Sequence, residues 1–307
     1  MISIAMTTYN GENFLREQLD SILAQSVSDF ELIVCDDCSS DSTWAILQEY
    51  EKKDARIKTV HNERNLGFVK NFEKAILLCK GDYIALSDQD DIWKSNHLEI
   101  LLHNMGTASA SVGNALIMDA TGGISSELLS DRDRYFVDGN NADRLFRILF
   151  YGNPFQGTSG LYRRELFSYV FPIPENIDYH DAWFAAFACC LGGLNYTFDV
   201  VTNYRLHGQN ASGSHSLHFF AQAVGACMRK GWKTDRVIFC DELLKRIPDM
   251  HNEIKDIVLS AKIFHENRMK GRRFSTIVSI LKNYKRMYAV SDYKLALSRC
   301  LGVLLKG

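Results

Sequence analysis

Three carboxylates fall within four residues at Asp88-Gln89-Asp90-Asp91. Like charges that close repel one another unless a cation sits among them, and carboxylate oxygens suit a hard divalent ion. The cluster follows a short apolar run, Tyr83-Ile84-Ala85-Leu86, that reads as a strand. A strand ending in acids places them at the carboxyl edge of a sheet, where open α/β folds bind ligands. The competing reading is an acidic turn that caps a helix from Trp93 onward. A second acidic pair, Asp36-Asp37, ends the apolar run 30–35 and opens a hydroxyl-rich turn through Ser39, Ser40, Ser42 and Thr43. Farther on, Asp178-Tyr179-His180-Asp181 opens an apolar helical stretch. A carboxylate at a helix N-terminus is stabilised as its anion, so Asp181 is either a ready proton acceptor or an ordinary cap. Tyr204-Arg205-Leu206-His207 adds a guanidinium, whose rigid fork of donors suits a phosphate. Glycines 208 and 213 follow it and allow a loop that closes over a ligand.

The elements that must position these groups are readable from periodicity. Ile2-Ser3-Ile4-Ala5-Met6 reads as a strand, followed by the polar loop Thr7-Thr8-Tyr9-Asn10-Gly11-Glu12-Asn13. From Phe14, apolar residues recur at Leu15, Leu19, Ile22 and Leu23, a helical spacing. Residues 30–35 form a second strand, and a capped helix runs through Trp44, Ile46, Leu47 and Tyr50. Ile57-Lys58-Thr59-Val60 and a helix through Phe72, Ala75 and Ile76 lead to the Tyr83 strand. The order βαβαβαβ implies a parallel sheet with helices on its faces. Its strand ends bring residues 8–10, Asp36, Asp37 and residues 88–91 to one rim. A last strand is expected at Phe198-Asp199-Val200-Val201.

Four segments, SIAMTTYNGENFLREQLDSILAQ, FELIVCDDCSSDST, NLGFVKNFEKAI and GDYIALSDQDDIW, resemble in order and spacing the inverting family 2 glycosyltransferases. The likeness spans about the first two-thirds of the chain. SDQDDIW, HDAWFAAF and YRLHGQNASG are most similar to the rhamnosyltransferase-like branch of bacterial surface polysaccharide assembly. The resemblance implies an α/β fold of the GT-A type, Rossmann-like, with a mostly parallel sheet flanked by helices and a C-terminal helical appendage. It implies a nucleotide-sugar-binding half at 1–105, an acceptor-binding and catalytic half at 106–220, and a basic helical region at 221–307. By the same resemblance Asp37 accepts the N3–H of uracil or thymine. Asp36, Thr8, Tyr9, Asn10 and Glu12 shape the base and ribose pocket, and Asp88 faces the ribose. Asp90 and His207 hold Mg²⁺ or Mn²⁺ at the diphosphate, with Arg205 nearby. The family's general base is the second acid of a pair; here the first position is His180, and the base is Asp181. The implied donor is dTDP-rhamnose or a UDP-sugar, and the implied acceptor a glycan or a lipid-linked sugar. The remaining alternative is a catalytically silent GT-A-like domain that binds nucleotide or glycan as an assembly partner.

Several classes are excluded or disfavoured by what the chain carries. A phosphatase nucleophile motif needs Thr where Ile92 stands, and neither a Gly-X-Gly-X-X-Gly after the first strand nor a Walker loop is present. Cys35 and Cys38 have no second pair to complete a zinc site, and the remaining cysteines read as reduced core residues of a cytoplasmic protein. A signal sequence is not expected, because the chain enters a strand at Ile2, and no apolar run reaches the roughly 20 residues of a membrane span. The net charge of -2 hides an asymmetry, since residues 221–307 hold 18 Lys and Arg against 8 Asp and Glu. Ile254, Ile257, Val258, Ala261 and Phe264 there recur with helical spacing, and residues 271–287 combine an apolar stripe with Lys and Arg. Peripheral docking on the anionic inner face of the plasma membrane is one reading. An appendage packed on the catalytic domain, or a homodimer contact, is the other. No basic, aromatic-studded groove accompanies the charge, so nucleic acid is not an expected partner.

Overall fold

Every residue of the first strand, β1 (Ile2–Thr8), is buried, as expected for a central strand covered on both faces rather than one. In the computed structural model it is flanked in parallel by β2 (Phe30–Asp36) and β4 (Tyr83–Ser87), and β3 (Ile57–His61) pairs parallel with β2. The structure describes residues 1–132, 139–207, 230–272, 274–276 and 278, with backbone alone for 131, 132, 151 and 230–235. Gly208, Gly213, His215 and His218, and most of the basic stretch 271–287, lie outside the described residues. Helices α1 (Leu15–Leu23), α2 (Thr43–Lys53) and α3 (Phe68–Leu78) make the crossovers. In α1 the buried positions are Leu15, Gln18, Leu19 and Ile22, one stripe of a 3.6-residue period.

The second half of the sheet is mixed. After the two-residue β5 (Ile92–Trp93) and α4 (His97–Met105) comes β6 (Ala110–Asp119), which forms a hairpin with β7 (Ile124–Leu128). The short α5 (Leu129–Arg132) follows. Strand β8 (Gly160–Arg163) runs antiparallel between β4 and β6, and a 13-residue β9 (Leu194–Leu206) pairs parallel with β6. The order is β3-β2-β1-β4-β8-β6-β9-β5, with β7 on β6. The sheet is therefore parallel from β3 to β4 and mixed beyond. Ile4, Met6, Leu32, Val34, Leu19, Ile22, Leu98 and Leu101 belong to the core cluster that binds sheet and helices together.

Two corrections to the sequence expectations follow. The acids at 88–91 do not cap a helix at Trp93: that residue lies in β5 and the helix begins at His97, after Asn96. The last strand also starts earlier and ends later than 198–201, so Tyr204, Arg205 and Leu206 are strand residues. Its stretch Tyr196-Thr197-Phe198-Asp199 alternates apolar and polar residues, which a search for a continuous apolar run passes over.

Contacts divide the chain into two compact units. The first comprises Met1–Arg132, Phe155–Asp181 and Gly192–Ser214; the second comprises Asp133–Pro154, Ala182–Leu191 and His215–Gly307. The first contains the sheet and the short α7 (Phe167–Val170), and α8 (His180–Cys190) begins in it. The second contains α6 (Asn141–Tyr151), α9 (Lys230–Arg246) and α10 (Asn252–Met269). Within it α10 packs on α9 and α6, and buries the stripe Ile254, Ile257, Val258, Ala261 and Phe264. Buried Arg236 and His265 donate to the carbonyls of Ile148 and Leu149 near the end of α6, where helix carbonyls lack partners of their own.

Candidate functional site

Register sets the first part of the site. Thr8 of β1 stands opposite Asp36 of β2, and Asp36 stands opposite His61 of β3, all at the carboxyl ends of their strands. The side chains follow. Asp36 is fully buried and accepts from Thr8 Oγ1 at 2.8 Å and from the Ser39 hydroxyl and amide at 2.6 and 3.0 Å. His61 Nδ1 lies 2.9 Å from its second oxygen. Asp36 therefore braces the rim from inside the protein. Asp37 is also buried, yet three donors come to it: Asn62 Nδ2 and the amides of Leu66 and Gly67, at 2.8–2.9 Å. A carboxylate offers about four acceptor positions, so one direction at Oδ2 is left for an incoming N–H. Asn62 is itself fixed by Asn71 and Lys74.

The loop after β1 is cross-braced to the loop after β2. Asn10, in the left-handed region at φ 48°, donates from its amide to Ser39 Oγ and accepts from the Ser40 amide. Glu12 accepts from the Ser42 amide, and the Glu12 amide donates to Asp41. Tyr9 is half exposed on the rim, and Gln89 pairs with its backbone amide and carbonyl at 2.8 and 3.0 Å. Gln89 thus ties the aspartate loop to the Thr8–Glu12 loop, a role its position inside the acidic cluster does not announce. Replacing Asp36 with Asn puts an amide N–H against the Thr8 and Ser39 donors. We expect a stability loss of about 2–3 kcal/mol from the charged hydrogen bonds removed. Urea unfolding measures it, and a change below about 0.5 kcal/mol would show that the rim does not depend on this carboxylate.

Asp88, Asp90 and Asp91 present oxygens that all lie within 4.8 Å of one another. Among the described residues this is the one group of three with metal-ligand character. The three are not equivalent. Asp91 is fully buried and its two oxygens accept from the Arg205 amide and Thr158 Oγ1, both at 3.1 Å. Arg205 is buried as well: Nε donates to the Asp90 carbonyl at 2.8 Å, one terminal nitrogen meets Glu17 at 2.6 Å, and the guanidinium lies over the Phe14 ring. The guanidinium expected to reach a phosphate is instead turned inward and fastens the aspartate loop to β9 and α1. Asp90 and His207 meet at 2.8 Å, close enough for both to face one ion. Burial, then the neighbouring charges of Asp90 and Asp181, push Asp88 up to about 8. Burial and the same cluster also push Asp91 well above the usual carboxylate range. A cation entering beside Asp88 and Asp90 relieves that repulsion, and hard oxygens with an imidazole suit Mg²⁺ or Mn²⁺.

Asp181 reaches the same region from the first turn of α8. Its charge acts on Asp88 and also on the buried Tyr162 hydroxyl, which burial first and then Asp181 push well above the usual tyrosine range. Gly157 leaves it room: a Cβ there would sit 3.1 Å from Asp181 Cβ and 3.4 Å from His180 Nε2. His180 is buried against Phe72, ring centroids 4.3 Å apart, and burial lowers it to about 3, so it is a neutral spacer. The site as a whole gathers the Asp88, Asp90 and Asp91 carboxylates after β4, Asp181 within electrostatic reach of Asp88, and a polar rim made by the loops after β1 and β2.

The model of a family described as Glycosyl transferase family 2 matches residues 3–171. A Bacillus subtilis glycosyltransferase assigned to teichuronic acid biosynthesis, TuaG, is 40% identical over 105 residues, 34% of this chain and 42% of that protein. The Escherichia coli UDP-Glc:alpha-D-GlcNAc-diphosphoundecaprenol beta-1,3-glucosyltransferase WfgD is 38% identical over 105 residues, 34% of this chain and 41% of that protein. Both alignments span less than half of the relative's own length. Among solved structures, the mannosyltransferase PcManGT of Pyrobaculum calidifontis, in complex with GDP-Man and Mn²⁺, superposes with a TM-score of 0.57. It is 16% identical and covers 99% of this chain and 79% of its own, a likeness of fold.

Proposed function

Because the chain belongs to glycosyl transferase family 2, we propose that it is a metal-dependent inverting glycosyltransferase of bacterial surface polysaccharide assembly. On this reading residues 1–105 bind the nucleotide sugar, 106–220 supply the acceptor and catalytic half, and 221–307 form a basic helical region. The observation that carries it is that Asp181, at the start of α8, lies within electrostatic reach of Asp88 in the Asp88–Asp90–Asp91 cluster. An inverting transfer needs such an arrangement, with a base on one side of the anomeric carbon and a cation-neutralised leaving group on the other.

Asp37 accepts the N3–H of a uracil or thymine through its remaining acceptor position, and Thr8, Tyr9, Asn10 and Glu12 enclose the base and ribose. Asp88 faces the ribose, while Asp90 and His207 hold Mg²⁺ or Mn²⁺. When bound, the ion offsets charge on the departing nucleotide diphosphate, worth several kcal/mol of barrier. Asp181 takes the proton of the acceptor hydroxyl as that oxygen attacks. Asp36 and Arg205 act through their neighbours, the first by bracing the rim and the second by fixing the aspartate loop.

The donor is a UDP-sugar or dTDP-rhamnose. The E. coli relative is named for a UDP-sugar donor and a diphosphoundecaprenol acceptor, and SDQDDIW, HDAWFAAF and YRLHGQNASG carry the rhamnosyl alternative. The acceptor is a glycan or a lipid-linked sugar. Incubation with UDP- and dTDP-sugars and Mn²⁺, followed by assay of released nucleotide diphosphate, tests the reading. Binding of nucleotide without any turnover of these donors would favour a silent assembly partner instead.

No helix among the described residues is long and apolar enough to cross a membrane. The excess of basic residues after 221 supports peripheral attachment at the inner face, each one worth about 1 kcal/mol near an anionic surface. Full-length protein is expected to float with phosphatidylserine vesicles at low salt and to release at high salt, whereas a chain ending near Lys270 floats less. Equal flotation of the two removes the segment from any membrane role.

A further inference from the structure

A cleft of about 410 Å³ opens in the first unit between the start of α3 and the segment that leads into α8. That volume falls in the range of about 300–1,000 Å³ typical of small-molecule sites. Phe68, 39% exposed, lines it, and the ring of Tyr179, 45% exposed and next in the chain to the lining Asp178, stands against Phe68 with centroids 6.2 Å apart and planes at 43°. Large apolar rings left that exposed side by side are unusual on a surface with no use for them. The cleft lies near the candidate base in the chain and in space: Asp178, which lines it, is three residues before Asp181, and Phe68 meets the edge of the His180 ring, centroids 6.0 Å apart.

The charges at the cleft select among ligands. Exposed Glu175 and Asp178 line it. Its cation, Lys70, is held by Glu73 at 2.8 Å and by the Ile173 carbonyl at 2.6 Å. The amides of Leu66 and Gly67 are already committed to the Asp37 carboxylate, whose negative charge sits at the N-terminal end of α3. A diphosphate would therefore meet carboxylates with no uncommitted cation among the lining residues. A neutral sugar meets what it needs, since its C–H face lies on an aromatic ring and its hydroxyls donate to carboxylates.

We propose that this cleft is the acceptor subsite, in which Phe68 and Tyr179 hold an uncharged pyranose of the acceptor beside Asp181. The proposal rests on the glycosyltransferase reading and adds to it the acceptor's location, its sugar class and two specificity-determining residues. The two rings act by positioning the acceptor hydroxyl and not by proton transfer.

Saturation-transfer NMR with methyl glycosides of glucose, N-acetylglucosamine, galactose and rhamnose, and in parallel with UDP plus Mn²⁺, tests it. Wild type is expected to bind at least one glycoside and UDP. Phe68→Ala and Tyr179→Ala are expected to weaken that glycoside about tenfold, the scale of one lost ring contact, with UDP unchanged. Tyr179→Phe keeps the ring and should keep the affinity. Glycoside binding indifferent to both alanines, or UDP weakened in parallel with it, overturns the subsite. So does UDP binding with no glycoside binding at all, which leaves the glycosyltransferase reading standing. Failure of wild type to bind UDP and glycosides alike overturns both.

Discussion

Asp181→Asn is expected to lower turnover by roughly 2–4 orders of magnitude, the usual contribution of a positioned general base. The substitution keeps the size of the side chain, so the room provided by Gly157 and the packing of His180 are undisturbed. What it removes is the carboxylate proposed to take the acceptor proton. Because Asp181 stands on another element than Asp88 and Asp90, nucleotide affinity should change little, and the loss should appear in kcat and not in donor KM. One further effect is predictable in sign: Asp181 is one of the charges that raise Asp88, so its neutralisation lets Asp88 ionise at lower pH. Steady-state rates against acceptor and donor concentration separate these effects. Near wild-type turnover would remove Asp181 from the mechanism and direct attention to the exposed Asp178.

Asp90→Ala is expected to abolish transfer, with a loss of at least about 3 orders of magnitude, since the ion's neutralising role is worth several kcal/mol. The fold should survive. Arg205 grips the carbonyl of Asp90 and not its carboxylate, so the loop keeps its anchor when the side chain is cut. Asp91→Ala should behave in the opposite way, because both Asp91 oxygens bind the protein itself. Thermal melting and rates at saturating Mn²⁺ distinguish the two variants. An Asp90→Ala enzyme within tenfold of wild type would place the ion elsewhere.

The N-terminal half of the fold was legible because each element is short, strongly periodic and closed by its own turn residues. Parallel pairing of β1, β2 and β4 then follows from the crossover helices, and the alignment of Thr8, Asp36 and residues 88–91 on one rim follows from parallel pairing. The β6–β7 hairpin, α6 and the full length of β9 carry no comparable signal in the sequence, and the faces of β9 see different neighbours along its run. The resemblance places Asp36 at the base and ribose pocket, and the donor fork of Arg205 suits a phosphate, but both side chains are buried in the fold. Their burial depends on His61, Glu17 and Asp90, partners between 25 and 188 residues away in sequence, and single-chain periodicity carries no signal for such contacts. The stripe on α10 announced a helix but not its cover, which α6 and α9 supply. Gln89 and Thr158 gave no warning: an amide within an acidic motif and a threonine in a glycine-rich turn acquire their roles only when β1 and the turn before β8 come beside the aspartate loop.

Calorimetric titration of UDP and dTDP into the wild-type protein, with Mn²⁺ and then with the ion chelated, tests the central claim most directly. The carboxylates at the end of β4 repel a diphosphate unless a cation lies between them, so binding should be at least about tenfold tighter with Mn²⁺, a difference near 1.4 kcal/mol. Equal affinity with and without the ion, or no affinity for either nucleotide in its presence, would contradict a metal-bridged nucleotide-sugar site at Asp88 and Asp90.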